Sequence, residues 1–169
     1  IYVDPKFSLF NELEELITEL IDNTEFNIIL RPHPINRKDP KILKIKNKFN
    51  NSNKFIYNIS EDYLLTFSKS ICLITDQSDT AYMFAFLTKH PVVFYSNKNL
   101  EYFINSKESE IKKYSYRNLK YFKNREKVGT IIHQAKFVSE KINKIKDDLK
   151  KYELSISELK KEIRYLGKS

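Results

Sequence analysis

The chain has 169 residues and a formal charge of +8, from 30 lysines and arginines against 22 acidic residues, with 41% hydrophobic and 14% aromatic residues. That length suits one folded domain with an appendage, and the apolar content excludes a disordered chain. No apolar run approaches the roughly 20 residues that cross a bilayer and no basic-then-apolar signal opens the chain, so a cytoplasmic protein with anionic partners is expected, reaching to the inner face of the cell membrane.

Five short segments rich in β-branched and aromatic residues read as strands: Ile1–Asp4, Phe26–Leu30, Lys54–Tyr57, Ile71–Thr75 and Val92–Tyr95. Helix-period stretches separate them, at Leu9–Ile21, Pro40–Phe49, Glu61–Ser68 and Thr80–Leu87. Strand and helix alternate, and several strands are apolar on both faces. The pattern predicts a Rossmann-like parallel sheet of about five strands with helices on both faces. Ligands of such sheets bind beyond the carboxyl ends of the strands. Four loops lie there: Asp4–Ser8, Arg31–Arg37, Asn58–Asp62 and Thr75–Thr80.

Past Tyr95 the composition changes. Residues 107–127 interleave lysines and arginines with Tyr114, Tyr116, Tyr121 and Phe122. Single-stranded nucleic acid can be bound by such a stretch, but the spacing favours a helical segment with its aromatics packed inward. From Ile131 to Leu166 apolar residues recur at alternating spacings of four and three, and no Gly or Pro interrupts residues 130–166. The spacing predicts a long helix whose seam serves either as a coiled coil or as a face packed on its own domain. Charge placement favours an antiparallel arrangement if the tail self-associates, because Lys141 then approaches Asp148. The organisation expected is an α/β domain over 1–128 and a helical tail over 129–169.

The chain has two glycines, Gly129 and Gly167. Neither a Gly-rich dinucleotide loop nor a Walker-type loop is present, so a phosphate must be held by helix N-termini and side chains. Two segments fit that task. In "RPHP", residues 31–34, Pro32 and Pro34 hold the backbone extended, and Arg31 and His33 supply a guanidinium fork and a proton donor. In "TDQSDT", residues 75–80, Asp76 or Ser78 is placed to cap the following helix, whose first amides and dipole favour an anion. The histidines His33, His90 and His133 lack ligand spacing, so no metal is expected. No cofactor is expected either. His90 is expected in a loop and His133 on the tail helix. Cys72 reads as a small buried hydrophobe.

Taken in order, Arg31-x-His33-Pro34, "NISEDYLL", Thr75-Asp76-x-Ser78, an apolar helix, Lys89-x-Pro91 and "VVFY" resemble the C-terminal half of CDP-glycerol glycerophosphotransferases. These are bacterial teichoic-acid and capsule polymerases with the two-domain GT-B fold, and "IYVDPKF" resembles the strand and loop that open that half. The resemblance spans about residues 1–105. It implies a nucleotide-diphosphate donor, CDP-glycerol or a sugar nucleotide, with His33 assisting departure of the nucleotide. It further implies that Arg31, Thr75, Asp76, Gln77, Ser78, Asp79 and Thr80 surround the donor phosphates. The acceptor-binding half is absent from this chain, which by that reading turns over little substrate alone. Two positions depart from the pattern. Asp79 stands where the family usually has serine, and Met83 where it often has an acidic residue. A non-catalytic assembly module built on a degenerate nucleotide fold is the alternative.

Overall fold

A computed structural model describes residues 7–76, 78–105 and 120–166. Helix α1, Leu13–Asn23, follows a 3₁₀ turn at Leu9–Asn11 whose cap is the Ser8 hydroxyl, accepting from the Phe10 amide at 3.1 Å. It buries Leu16, Ile17 and Leu20 on one stripe, as their spacing requires. Strand β1, Ile28–Leu30, leads through a 3₁₀ turn to α2, Pro40–Phe49. Local chemistry starts α2: the Asp39 carboxylate accepts from the Lys41 amide at 2.8 Å, and Pro40 occupies a first-turn position where no amide is missed. Then come β2, Phe55–Tyr57, α3, Tyr63–Ser68, β3, Leu73–Thr75, and α4, Thr80–Thr88.

Strand β4, Val92–Tyr95, is buried throughout. Its side chains alternate between two cores: Val93 and Tyr95 join α1 and α2, while Val92 and Phe94 join Phe67, Phe84 and Ala85. After β4 come α5, Lys98–Asn105, α6, Lys120–Lys123, and α7, Arg125–Val128. The chain then forms β5, Gly129–Ile132, a 3₁₀ turn at Ala135–Phe137, and the long helix α8, Val138–Leu166.

The protein is therefore α/β with parallel sheets and a long C-terminal helix. Two features differ from the sequence expectation. The described strands form two sheets, a pair β1-β2 and a triplet β3-β4-β5, in place of one sheet of five. All pairings are parallel. The expected strand Ile1–Asp4 lies outside the described residues, as do Gln77 and residues 106–119 with Tyr114 and Tyr116. Residues 129–137 are also not the start of a continuous tail helix. Gly129 sits opposite Val92 in the β4-β5 ladder, where a Cβ would come within 1.7 Å of the Val92 carbonyl oxygen. Only glycine allows that approach. Apolar spacing of three and four therefore continues across a strand and a turn that are not helical.

The seam of α8 is covered by its own domain as far as Leu159, while Ile163 is exposed. Ile142 and Ile145 enter the core beneath α1, and Ile156 and Leu159 enter the core beneath α4. Flanking charges pair inside the same chain: Lys89 with Glu153 at 3.1 Å, Lys127 with Glu162 at 2.9 Å, and Lys146 with Glu25. These pairs are exposed and contribute little each, so burial of the seam carries the docking. No helix among the described residues is long and apolar enough to cross a membrane.

Candidate functional site

A cavity of about 620 Å³ runs between β1 and β3. Ser8, Arg31, His33, Thr75 and Asp76 border it where the two strands end. The structure thus brings "RPHP" and the start of "TDQSDT" to one rim. Ser78, Asp79 and Thr80 lie beyond the cavity wall, in the turn that enters α4.

Each side chain at the rim has a local reason for its place. The backbone at His33 is extended, and its Nδ1 accepts from the Ile35 amide at 3.3 Å, capping the 3₁₀ turn Pro34–Asn36. An accepting Nδ1 assigns the proton of the neutral ring to Nε2, and the side chain is exposed, so His33 presents an N–H donor to solvent. Arg31 is engaged within the fold. Its Nη1 donates to Asn58 Oδ1 at 2.8 Å and its Nη2 to the Ser60 carbonyl, tying the end of β1 to the loop after β2. Asn58 Oδ1 also accepts from the Ser60 amide at 2.9 Å, which shapes that loop to receive the guanidinium.

Of the two residues expected to cap α4, Asp76 takes a different role. Its Oδ2 accepts from the Ser8 hydroxyl and the Leu9 amide, both at 3.0 Å, fastening the segment before α1 to the end of β3. Helix α4 is entered through Ser78, whose hydroxyl accepts from the Thr80 amide at 3.3 Å and whose carbonyl accepts from the Ala81 amide at 3.0 Å. Asp79 holds the N-cap position without a side-chain cap bond and is exposed. Its carboxylate faces water, away from the cavity. Met83, one turn on, is also exposed.

Sequence reasoning missed a residue that organises this loop. Tyr121 packs edge-on against Tyr82 and Phe94, and its hydroxyl donates to the carbonyls of Asp76 at 3.1 Å and Ser78 at 3.3 Å. Tyr82 in turn donates its hydroxyl to the Tyr121 carbonyl. Burial pushes the Tyr121 hydroxyl up to about 12, so it remains a donor at neutral pH. The aromatic spacing of residues 107–127 predicts inward packing, and Tyr121 packs so; nothing in that spacing identifies the loop it secures.

The other histidines stand apart. His90 lies in the loop before β4 with Nδ1 2.7 Å from the Ser70 carbonyl oxygen. His133 follows β5, not the surface of a helix, with Nδ1 2.6 Å from the Ser96 carbonyl oxygen. No group of His, Cys, Asp and Glu suited to a metal ion occurs among the described residues. Cys72 lines the cavity, and burial pushes its thiol up to about 12, far from a reactive thiolate.

What the rim offers an anion is one imidazole N–H, the Thr75 hydroxyl and the positive end of the α4 dipole near the end of β3, the Ser8 hydroxyl proton being given to Asp76. These are hydrogen-bonding groups for an anion, set at the carboxyl ends of parallel strands. The chain matches no known protein family, no curated protein and no solved structure at significance.

Proposed function

We propose that this domain binds a nucleoside-diphosphate donor at the carboxyl ends of β1 and β3. In this reading it is the donor half of a bacterial transferase that builds surface polysaccharide or a teichoic-acid-like polymer. One observation carries the reading: His33, at the end of β1, and Thr75 and Asp76, at the end of β3, border the same cavity. The diphosphate lies along the rim between them. His33 Nε2–H hydrogen-bonds the phosphate that leaves with the nucleoside, offsetting its growing charge as the bond to the transferred group breaks. Arg31 adds positive charge from its fixed position beside Asn58, and the α4 amino end adds its dipole. The transferred group and the acceptor meet in the cleft to a second, acceptor-binding domain.

Thermal unfolding with CDP and UDP tests this. A nucleotide at a hundredfold excess over its dissociation constant adds about 2.7 kcal/mol to stability. For a chain of this size that is about 5–10 °C in Tm. His33→Ala is expected to shrink the shift measured from its own unliganded Tm, which falls by no more than the loss of one exposed cap bond. Millimolar CDP and UDP both leaving Tm unmoved overturns the reading.

A second reading, a non-catalytic assembly module, has its own support. Asp76 and Arg31 are engaged in contacts that hold the fold together. Asp79 and Met83 face solvent in place of residues the donor-binding pattern favours. Donor hydrolysis or group transfer by the protein together with an acceptor domain separates the two: turnover excludes the module.

A further inference from the structure

Charge is spread unevenly along this chain. Residues 26–60, the unit from β1 through α2 to β2, hold eight lysines and arginines against one acid, Asp39, so +7 of the formal +8 lies there. A bias toward lysine alone would leave the acids in place: α8 also has eight lysines and arginines over Val138–Leu166, but six acids stand among them. Two cations of the unit are used inside the fold. Arg31 is held at Asn58 and Ser60, and Lys54 Nζ donates to the carbonyls of Ile21 at 2.8 Å and Thr24 at 2.7 Å, at the end of α1. The other six, Arg37, Lys38, Lys41, Lys44, Lys46 and Lys48, stand on α2 and the segment that enters it.

Neighbouring acids leave that face positive. Glu14 of α1 shares its carboxylate between Lys44 at 3.4 Å and Lys48 at 2.8 Å. The other engaged acids of α1 and its flanks serve the side of α8: Glu12 accepts from the Ala135 amide, Glu19 from the Ser139 hydroxyl, and Glu25 pairs with Lys146. Asp39 spends its carboxylate on the Lys41 amide. Arg37, Lys38 and Lys46 pair with no acid among the described residues. On a helix that turns about 100° per residue, Ile42, Ile45 and Phe49 face the core. Leu43, Lys44 and Asn47 then occupy the opposite face, with Lys46 on one flank and Lys41 and Lys48 on the other. Apolar side chains stand in this positive field: Leu43 is 40% exposed, and Ile35, in the 3₁₀ turn before α2, is 82% exposed.

We propose that the outer face of α2, with the turn Pro34–Asn36 before it, docks on an anionic lipid bilayer. The cations meet the headgroups, and Ile35 and Leu43 enter the boundary between headgroups and acyl chains. Three observations favour a bilayer over a nucleic acid. The exposed large apolar residues of 26–60 are Ile35, Leu43, Ile56 and Ile59, all aliphatic, whereas base stacking needs open rings. The rings of the unit are engaged: Phe49 and Phe55 are buried against each other, and Lys46 Nζ lies 5.1 Å over the ring of Tyr57. Five of the six cations are lysines, point charges suited to a diffuse surface charge, where forked recognition of single phosphates favours arginine.

Vesicle flotation tests this. At low salt the chain is expected to float with phosphatidylcholine vesicles containing about 30% phosphatidylglycerol and to stay behind with phosphatidylcholine alone, and about 0.5 M salt is expected to release it. Each cation near such a surface strengthens binding roughly fivefold, so replacing Lys38, Lys44 and Lys46 together by glutamine is expected to weaken it about 100-fold. Replacing Lys150, Lys151 and Lys161 of α8 by glutamine removes the same charge and is expected to change binding by less than about twofold. Ile35→Ser keeps the charge and is expected to weaken binding about tenfold. Equal flotation with both vesicles, or with neither, overturns the proposal, and that comparison needs no variant. Equal loss in the two triple variants traces binding to net charge and overturns the assignment to α2. A single-stranded RNA that binds through the same three lysines at least as tightly as the vesicles, with Ile35→Ser without effect on either, assigns the face to nucleic acid and overturns it too. The proposal does not rest on the donor reading: CDP can fail to move Tm while the vesicles still bind.

Discussion

Replacing Tyr121 by phenylalanine removes one oxygen and keeps the ring that packs 5.3 Å from Tyr82 and 6.1 Å from Phe94. The hydroxyl has one proton and two acceptors, the carbonyls of Asp76 and Ser78 at 3.1 and 3.3 Å, so neither bond is at full strength. One neutral hydrogen bond is worth about 1 kcal/mol net, and leaving a partly buried carbonyl short of a donor adds a similar amount. The expected cost of Tyr121→Phe is about 1–2 kcal/mol, read as a fall in Tm of about 3–6 °C. Tyr121→Ala also deletes the ring contacts and is expected to cost about 3 kcal/mol or more. Circular dichroism melts of the three proteins provide the comparison. Because the hydroxyl secures the loop from β3 to α4, the CDP-induced shift is expected to shrink in Tyr121→Phe beyond the loss of stability. A phenylalanine variant that melts with the parent, or one as damaged as the alanine variant, refutes the assignment of the hydroxyl as the fastening.

Two further outcomes follow from the packing. Gly129→Ala is expected to cost about 3 kcal/mol or more, near 10 °C in Tm, because a Cβ there would sit 1.7 Å from the Val92 oxygen and must push β5 off β4; an unchanged melt counts against the β4-β5 ladder. Burial raises the hydroxyl pKa values of Tyr82, Tyr95 and Tyr121 above their ordinary value of 10. Below pH 10 these groups are protonated folded or unfolded and their contribution is intact; between pH 10 and about 12 the unfolded chain ionises while the folded one resists, so stability falls as pH rises. Chemical denaturation at pH 9 and pH 11 measures that loss, and equal midpoints contradict it.

Much of the local structure is legible because its causes are local. The whole of α2 is written in "DPKILKIKNKF": Asp39 caps it, Pro40 starts it, and Ile42, Ile45 and Phe49 face inward one turn apart. The apolar run of β4 announces a strand buried on both faces. Reading Arg31, His33, Thr75 and Asp76 as strand-end residues is likewise a matter of order along the chain, and all four lie at the cavity rim.

What failed to show in the sequence depends on partners distant along the chain. Of the two residues offered as a cap for α4, Ser78 makes the bond to the Thr80 amide and Asp76 anchors Ser8 and Leu9, and the contacts of Arg31 with Asn58 and Ser60 are not announced by its order in the chain. Residues 129–132 read as helix because Ile131, Ala135 and Val138 keep helical spacing, and only the edge of β4, with room for a residue without a Cβ, makes them a strand. The tail seam offered a second chain or the chain's own domain as its cover, and Ile142, Ile145, Ile156 and Leu159 are buried in the domain. By itself the sequence determined the alternation of strand and helix, the inward stripes and the residues at the strand ends, since each follows from neighbours within one or two turns. Tertiary structure alone decided which edges pair, which side the seam takes and where each polar side chain spends its hydrogen bonds, because those energies arise between segments that sequence spacing does not bring together.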